Sequence, residues 1–384
     1  MKPNSCLHGR SAVLASASLA VLLMLSACSS TPQSASSTPA SVTSAPQTPV
    51  STDPISPPPA SSPEASNQPG TSARPSTPLP SPTTSGGPSP SATPVTQRKP
   101  GWALDRIDQR KAALDSRYTV RSQGKGVTVY VVDGLFDVKN AEFGGRASVG
   151  LRSGRGCVLE DGIDHGLFVA GIVGGRRTGV AKQARIVSVG AINGCEGGSG
   201  DATEAQMAAR IVRALNWVAQ NARRPAVVNL SLNVAAPSPT VVAAVRRVVG
   251  AGLTVVASAG NNGDDACRYP PAGLPSVVTV AAATRKDRDA GLNHGRCVDL
   301  FAPGEDVTSV VHPGLDPDRL ATSDGAATSW AAPFVSGAAA LYLSAHPSAT
   351  PAKVRRWLVD NATRGALRGD LHGSPNRLLY VGGS

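Results

Sequence analysis

The chain alternates between short Val-rich runs and longer stretches whose apolar residues fall at helical spacing. Nearly continuous apolar runs occupy residues 127–133, 185–189, 226–232, 253–257 and 277–282. Uninterrupted runs of this length predict strands buried on both faces. Between them the period changes. Within residues 202–222, Ile211, Leu215 and Val218 stand at i, i+4 and i+7, one face of a helix. Ser238 before Pro239 supplies an N-cap and a helix-opening proline, and Gly250 and Gly252 end that helix. Thr350 and Pro351 open another that runs through Trp357 and Leu358. Residues 331–343 are rich in Ala, Gly and Ser, which suits a slim helix running close through a packed core. Strand and helix in alternation predict an α/β fold in three layers, a central mainly parallel sheet with helices on both faces. Met207, Trp217 and Trp357 read as core residues rather than cofactor contacts.

Polarity divides the 384 residues into three parts. Residues 1–27 carry Lys2 and Arg10 and then an apolar stretch over 12–25, a targeting segment too short to span a bilayer comfortably. Its end, Leu25, Ser26, Ala27 and Cys28, resembles a bacterial lipoprotein signal box. That likeness implies cleavage and lipidation of Cys28, which would anchor the mature chain to the extracytoplasmic face of the cell membrane. Residues 28–100 are Pro, Ser, Thr and Ala with hardly a charge, and predict a disordered tether. No periodic apolar pattern for a folded propeptide occurs there. Residues 101–384 then form a single domain. The formal net charge is +11, but the basic residues are scattered, without aromatic interleaving or a recognition helix. This argues against nucleic acid as a partner and for affinity to an anionic envelope.

Four residues sit in settings that suit serine-nucleophile acyl transfer. Asp133 ends the first strand-like run, His165 opens an apolar segment, Asn261 follows the fourth run, and Ser329 precedes the small-residue helix. A serine hydroxyl needs an adjacent base, and the base needs a third group to fix its tautomer. His165 is a base by residue type. Asp133, at the carboxyl end of a parallel strand, would face the crevice in which such sheets bind ligands. Each residue also has an ordinary structural use. An Asp after a strand serves as a turn or cap, a Ser before a helix as an N-cap, and Asn261 with its glycine neighbours as a tight turn. Four cysteines lie in the predicted domain: Cys157, Cys195, Cys267 and Cys297. An even count in an exported chain suggests disulfides, with three possible pairings; zinc is the alternative, though no CxxC pair occurs.

The order Asp, His, Ser, with separations of 32 and 164 residues, and the flanks around each position resemble the subtilisin-like serine proteases, closest to their proteinase K branch. The likeness extends over residues 102–381, through 142–147, 179–182, 231–232, 259–261, 269–270, 275–277, 299–304 and 374–380. It implies a subtilisin-like fold and a secreted, membrane-tethered serine endopeptidase, monomeric, acting on proteins or peptides without a catalytic cofactor. Asp133, His165 and Ser329 would form the triad, and Asn261 with the Ser329 N–H would hold the oxyanion. Substrate would lie along Ser231, Leu232 and Asn233 and against Ala259 and Gly260. The same likeness implies the pairings Cys157–Cys195 and Cys267–Cys297. It also implies a structural Ca²⁺ held by the carbonyls of Pro275 and Val277 and the carboxylate of Asp299.

The motifs depart from the family pattern in four places. Asp-Thr-Gly is here Asp133, Gly134, Leu135, and His-Gly-Thr-His is His165, Gly166, Leu167, Phe168. Ser-Leu-Gly-Gly is Ser231, Leu232, Asn233, Val234, and Gly-Thr-Ser-Met is Ala327, Thr328, Ser329, Trp330. Trp330 is expected to narrow the leaving-group side of the cleft. The alternative reading of these changes is a catalytically impaired surface protein that binds peptides on a subtilase scaffold.

Overall fold

Residues 93–159, 162–194, 203–235, 237–312, 316 and 319–383 are described by the structure, a computed structural model. The targeting segment, Cys28, the tether up to residue 92 and Cys195 lie outside these residues. The described chain opens with β1 (Val95–Arg98), helix α1 (Trp102–Ile107) and β2 (Arg117–Val120), and the two strands pair antiparallel. The expected tether boundary at residue 100 is therefore too late. Residues 95–98 carry no long apolar run, and their order comes from backbone pairing to β2, which local composition does not reveal.

β3 (Thr128–Asp133), β4 (Ala147–Leu151), α2 (His165–Gly174), β5 (Arg185–Gly190), α3 (Glu204–Asn221), β6 (Ala226–Leu230), α4 (Pro239–Gly250), β7 (Thr254–Ser258) and β8 (Val278–Ala283) follow. The remaining elements are β9 (Leu300–Pro303), β10 (Thr308–Val310), β11 (Leu320–Thr322), α5 (Thr328–Ala345), α6 (Pro351–Asn361), β12 (Thr363–Arg364) and β13 (Arg377–Leu378). The nine-stranded main sheet has the order β12-β13-β9-β8-β7-β6-β3-β5-β4. Every neighbouring pair in it is parallel except β12 with β13.

The five predicted Val-rich runs are β3, β5, β6, β7 and β8. Every residue of β3, β6, β7 and β8 is buried, as strands covered on both faces require. One core, with α2 and α5 at its centre, covers one face; a second, built on α3 and α4, covers the other. The three-layer α/β expectation holds. Helix starts follow side-chain chemistry: Thr203 and Gln206 make a reciprocal capping box, Ser238 and Thr350 cap α4 and α6 ahead of Pro239 and Pro351, and Asp164 caps α2.

Two features of this frame place the site. β3 pairs with β5 on one side and β6 on the other, so the strand order reverses at β3, and Asp133 is its last residue. Ligand crevices of open parallel sheets form at such a reversal, beyond the carboxyl ends of the strands. Helix α5 runs through the middle of one core, with Ala331, Ala332, Gly337, Ala338, Ala339 and Ala340 all buried. Small side chains let this helix lie close to the sheet and deliver its first turn to the crevice.

Candidate active site

Asp133 is wholly buried, and its carboxylate faces His165, the first residue of α2. His165 Nδ1 lies 2.8 Å from Asp133 Oδ1 and 3.0 Å from Oδ2. The Gly134 N–H donates to Oδ1 at 2.7 Å, so the carboxylate is fixed from a second side. An ionised carboxylate only accepts, which puts the imidazole proton on Nδ1 and leaves Nε2 as the basic nitrogen. Burial pulls the His165 pKa down. The charge and hydrogen bond of Asp133, with the charge of Asp164, outweigh it, and the ring ends above its ordinary value. Asp164, the N-cap of α2, accepts from the Leu167 N–H at 3.0 Å. Burial lifts its own pKa to about 6, against the pull of that N–H.

Ser329 is the second residue of α5, not a residue before it. The N-cap is Ala327, which has no side-chain oxygen, so Ser329 is not the capping serine its position suggests. Its hydroxyl donates to the Ser231 carbonyl at 3.1 Å, and the Ser231 hydroxyl donates to the Ser329 carbonyl at 2.9 Å. The second bond has a cause in the sequence. Pro333 stands four residues on and has no N–H, so the Ser329 carbonyl lacks its helical donor and Ser231 supplies one. Buried Asn229 continues the link, donating to Ser231 Oγ at 3.0 Å and accepting from Ser336 Oγ at 2.8 Å. This chain of groups locks the first turns of α5 to the end of β6. The Ser329 N–H is a first-turn group with no acceptor inside the helix.

Asn261 follows β7. Its side-chain oxygen accepts from the Thr328 N–H at 2.9 Å and the Thr328 hydroxyl at 2.8 Å. With the oxygen occupied, the amide NH₂ is the end left for the cleft. Thr328 Oγ1 also accepts from the Gly260 N–H at 3.1 Å. Asn293, wholly buried, supports the same loop: it donates to the Ala259 carbonyl at 3.0 Å and accepts from the N–H of Asn262 and of Asp264. Gly260 has φ +109°, and a Cβ there would stand 2.3 Å from Asn293 Nδ2 and 2.8 Å from Asn233 Nδ2. Only glycine fits that position. Thr328, Asn293, Asn229 and Asp164 are positioning residues that the sequence reading did not single out. Their signal was faint: polar residues beside or between the recognised ones, without a spacing of their own.

His165, Ser231, Leu232, Asn233, Gly260, Asn261, Thr328 and Ser329 line one cleft of about 350 Å³. Ala259 is buried behind it. The triad candidates, the oxyanion candidate and the substrate-edge candidates thus come together at one crevice. Over residues 124–377 the chain matches the sequence model of the Subtilase family.

The chain belongs to the subtilase family.

Among its relatives is the extracellular serine proteinase of Thermus sp. (strain Rt41A), 41% identical over 282 residues, 73% of this chain and 66% of that protein. Another is the alkaline serine exoprotease A of Vibrio alginolyticus, 39% identical over 281 residues, 73% of this chain and 50% of that protein. The chain therefore spans between half and two thirds of the length of these two relatives. Among solved structures, a cold-adapted subtilisin-like serine proteinase superposes with a TM-score of 0.63 at 37% identity, covering 74% of this chain and 98% of that one.

The departures from the subtilase motifs have neighbours that account for them. A Cβ on Gly134 would stand 2.9 Å from the Cys157 nitrogen, so the segment at 156–157 excludes the family's threonine. Leu167 and Phe168 are wholly buried. Trp330 contradicts its expectation. It is 5% exposed and turns into the core against His165 and Phe168, rather than crowding the cleft. The reason is helical geometry: one residue past Ser329 is a rotation of about 100°, which aims Trp330 at α2 when Ser329 faces the crevice. Met207, read as core, is only partly buried and lines the cleft.

The calcium ligand set does not fit a cation. Pro275 and Asp299 do line one depression, but so do Arg355, Arg356 and Arg377. Arg355 Nη2 lies 2.5 Å from Asp299 Oδ1 and its Nε 3.1 Å from Oδ2, while the Thr279 N–H donates to Oδ2 at 3.0 Å. Both carboxylate oxygens are taken, and a guanidinium already supplies the positive charge. Of the expected disulfides, Cys267 and Cys297 are joined. Cys157 is disulfide-bonded, and its expected partner Cys195 lies outside the described residues.

Proposed function

We propose that the chain is a secreted serine endopeptidase that hydrolyses peptide bonds through an acyl-enzyme. The observation that carries this reading is the convergence on one cleft of a carboxylate-held histidine, a helix-borne serine and an amide whose oxygen is pinned away from the cleft. Ser329 Oγ attacks the scissile carbonyl carbon while His165 Nε2 takes its proton. The Asn261 NH₂ and the Ser329 N–H hold the resulting oxyanion; one such side-chain donor contributes roughly 10²–10³ in turnover. On collapse the C–N bond breaks and His165 returns the proton to the leaving amine. Water then hydrolyses the ester by the same proton path and regenerates Ser329. Asp133 stabilises the imidazolium formed in each half-reaction. Substrate lies along Ser231, Leu232 and Asn233.

Ser329 must leave the Ser231 carbonyl to reach His165. This is a hydroxyl rotation of the kind that catalytic hydrogen bonds complete on substrate binding. A serine-reactive fluorophosphonate tests the assignment: wild type should label and Ser329→Ala should not. Equal labelling of the two, or none of either folded protein, would refute it. The resting bond from Ser329 to Ser231 is also what a peptide-binding, non-cutting protein would show. That second reading gains if the protein binds unstructured peptides and leaves casein intact over days.

Tethering rests on the sequence around Cys28. Metabolic labelling with a fatty acid should mark wild type and spare Cys28→Ala, which should leave the membrane fraction. Retention of Cys28→Ala in that fraction would refute the lipid anchor.

A further inference from the structure

Two of the departures from the family motifs are parts of one contact. His165 and Phe168 stand three residues apart on α2, so their rings lie on one face of that helix, a turn apart. Trp330 from α5 packs on both. Its ring centroid is 5.1 Å from that of His165, with an interplanar angle of 39°, and 4.6 Å from that of Phe168, with an angle of 56°. Phe168 is wholly buried and Trp330 is 5% exposed, so water contributes little beneath the imidazole. The arrangement holds the ring of His165 between a carboxylate at its Nδ1 edge and an indole on its flank.

We propose that Trp330, backed by Phe168, is a positioning residue for His165 that orients the imidazole and stabilises its imidazolium through the indole π-face. The inference rests on the reading of His165 as the general base. A cation within about 6 Å of an aromatic centroid is attracted by the ring quadrupole, more strongly once both partners are desolvated. His165 becomes such a cation when it takes the Ser329 proton. The attraction therefore grows as the transition state is reached, which is the condition for accelerating the chemical step. The methionine usual in the family at this position, and the second histidine of its His-Gly-Thr-His motif, would place no such ring pair here.

The charged groups facing His165 are few. Asp133 approaches from β3, and Asp164 precedes His165 at the start of its own helix. Helix α5 contributes no charged side chain. Any change in the titration of His165 on altering Trp330 therefore has no ionic partner on that helix to explain it.

The test reads His165 directly, without relying on turnover. In a Ser329→Ala chain, the imidazole Cε1–H resonances are titrated by NMR, with His165 assigned by loss of its signal in a His165→Gln variant. Trp330, Trp330→Phe and Trp330→Leu are compared. The midpoint of His165 should fall in that order, by about half a pH unit from Trp to Leu. The ring-current shift of its Cε1–H should be largest with Trp and lost with Leu. In the Ser329 enzyme, Trp330→Leu should lower kcat about threefold to tenfold with KM unchanged. Trp330→Phe should recover part of the loss. Phe168→Leu should add little once Trp330 is Leu, because it acts through the indole. Equal midpoints and equal ring-current shifts in the Trp, Phe and Leu proteins would overturn the proposal. So would a lowered melting temperature in Trp330→Leu with no change in the midpoint, which marks the ring as packing alone. Failure of fluorophosphonate labelling in wild type would instead count against Ser329 as the nucleophile, and the titration would still decide the ring contact.

Discussion

Replacing Arg355 by leucine should destabilise the domain without touching the cleft. The Asp299 side chain is 7% exposed and that of Arg355 is 41% exposed. Removing the guanidinium leaves a buried carboxylate with the Thr279 N–H as its remaining donor. Breaking a fully buried ion pair from one side costs about 3–5 kcal/mol. Solvent reaches Arg355 and screens part of that, so a cost of about 2–3 kcal/mol is expected here. At roughly 2 °C per kcal/mol for a domain of this size, the melting temperature should fall by about 4–6 °C. Scanning calorimetry in the Ser329→Ala background avoids self-digestion. The double variant Asp299→Asn, Arg355→Leu should recover at least half the loss, because no buried charge is left unpaired. The sign with pH follows from the direction of the Asp299 shift. Burial already raises its pKa, with Arg355 pulling against it. Without Arg355 the folded-state pKa rises further, so the deficit is full at neutral pH and shrinks as pH falls through that value. EDTA should leave the size of this Arg355 deficit unchanged, because both Asp299 oxygens are already taken. A cost below about 0.5 kcal/mol, the size of an ordinary surface change, would refute the account of Arg355. Stability that calcium restores to the Arg355→Leu protein and EDTA removes would show a cation at Asp299 that this geometry excludes.

Asp164→Asn keeps the cap of α2 but removes a negative charge beside His165. The His165 pKa should fall, and the acid limb of kcat/KM should move to lower pH; an unmoved limb would show that Asp164 is a cap alone. Thr328→Val removes the hydroxyl that holds Asn261 and Gly260, and should lower kcat about tenfold with KM little changed, less than loss of the Asn261 donor itself. A KM-dominated effect would place Thr328 in substrate binding instead. Met207 is the only methionine beyond the targeting segment, and it lines the cleft. Peroxide should convert it to the polar sulfoxide and raise KM for apolar peptides while fluorophosphonate labelling persists, and Met207→Leu should abolish the effect. Loss of labelling in step with oxidation would refute that split.

What the sequence made legible follows the physics of each element. Strands such as β3 and β7 were visible because burial on both faces demands continuous apolar runs. Amphipathic α3 was visible because one face meets solvent. Helix α2, which carries His165, was not read as a helix at all. Every residue from Gly166 to Gly174 is buried, so no polar face breaks the run and periodicity has nothing to report. The four principal residues could be named from residue type, order and flanks. Their supports could not. Thr328, Asn293 and Asn229 each make a side-chain hydrogen bond to a residue 31 or more positions away. The calcium ligand set fails for the same reason: Asp299 looks available until α6, 56 residues later, brings Arg355 to it.

Read along the chain, the altered motif neighbours are separate losses: a threonine here, a histidine there, a methionine beside the nucleophile. In space most of them fall into contacts. Gly134 makes room for the backbone at 156–157, Asn233 meets Gly260, and Phe168 meets Trp330. Each contact lies beside one of the principal residues. The Gly134 N–H donates to Asp133, the Gly260 N–H donates to the Thr328 hydroxyl that fixes Asn261, and Trp330 backs His165. Unconnected substitutions in a failing site would open cavities or strand buried polar groups at these points. Among the described residues, none of Asp133, His165, Asn261 and Ser329 is left with a buried side-chain atom lacking a partner. The altered neighbours are therefore accommodated by packing around the four principal residues, and the place to look for their effect is in how strongly His165 is held and which peptides the cleft admits.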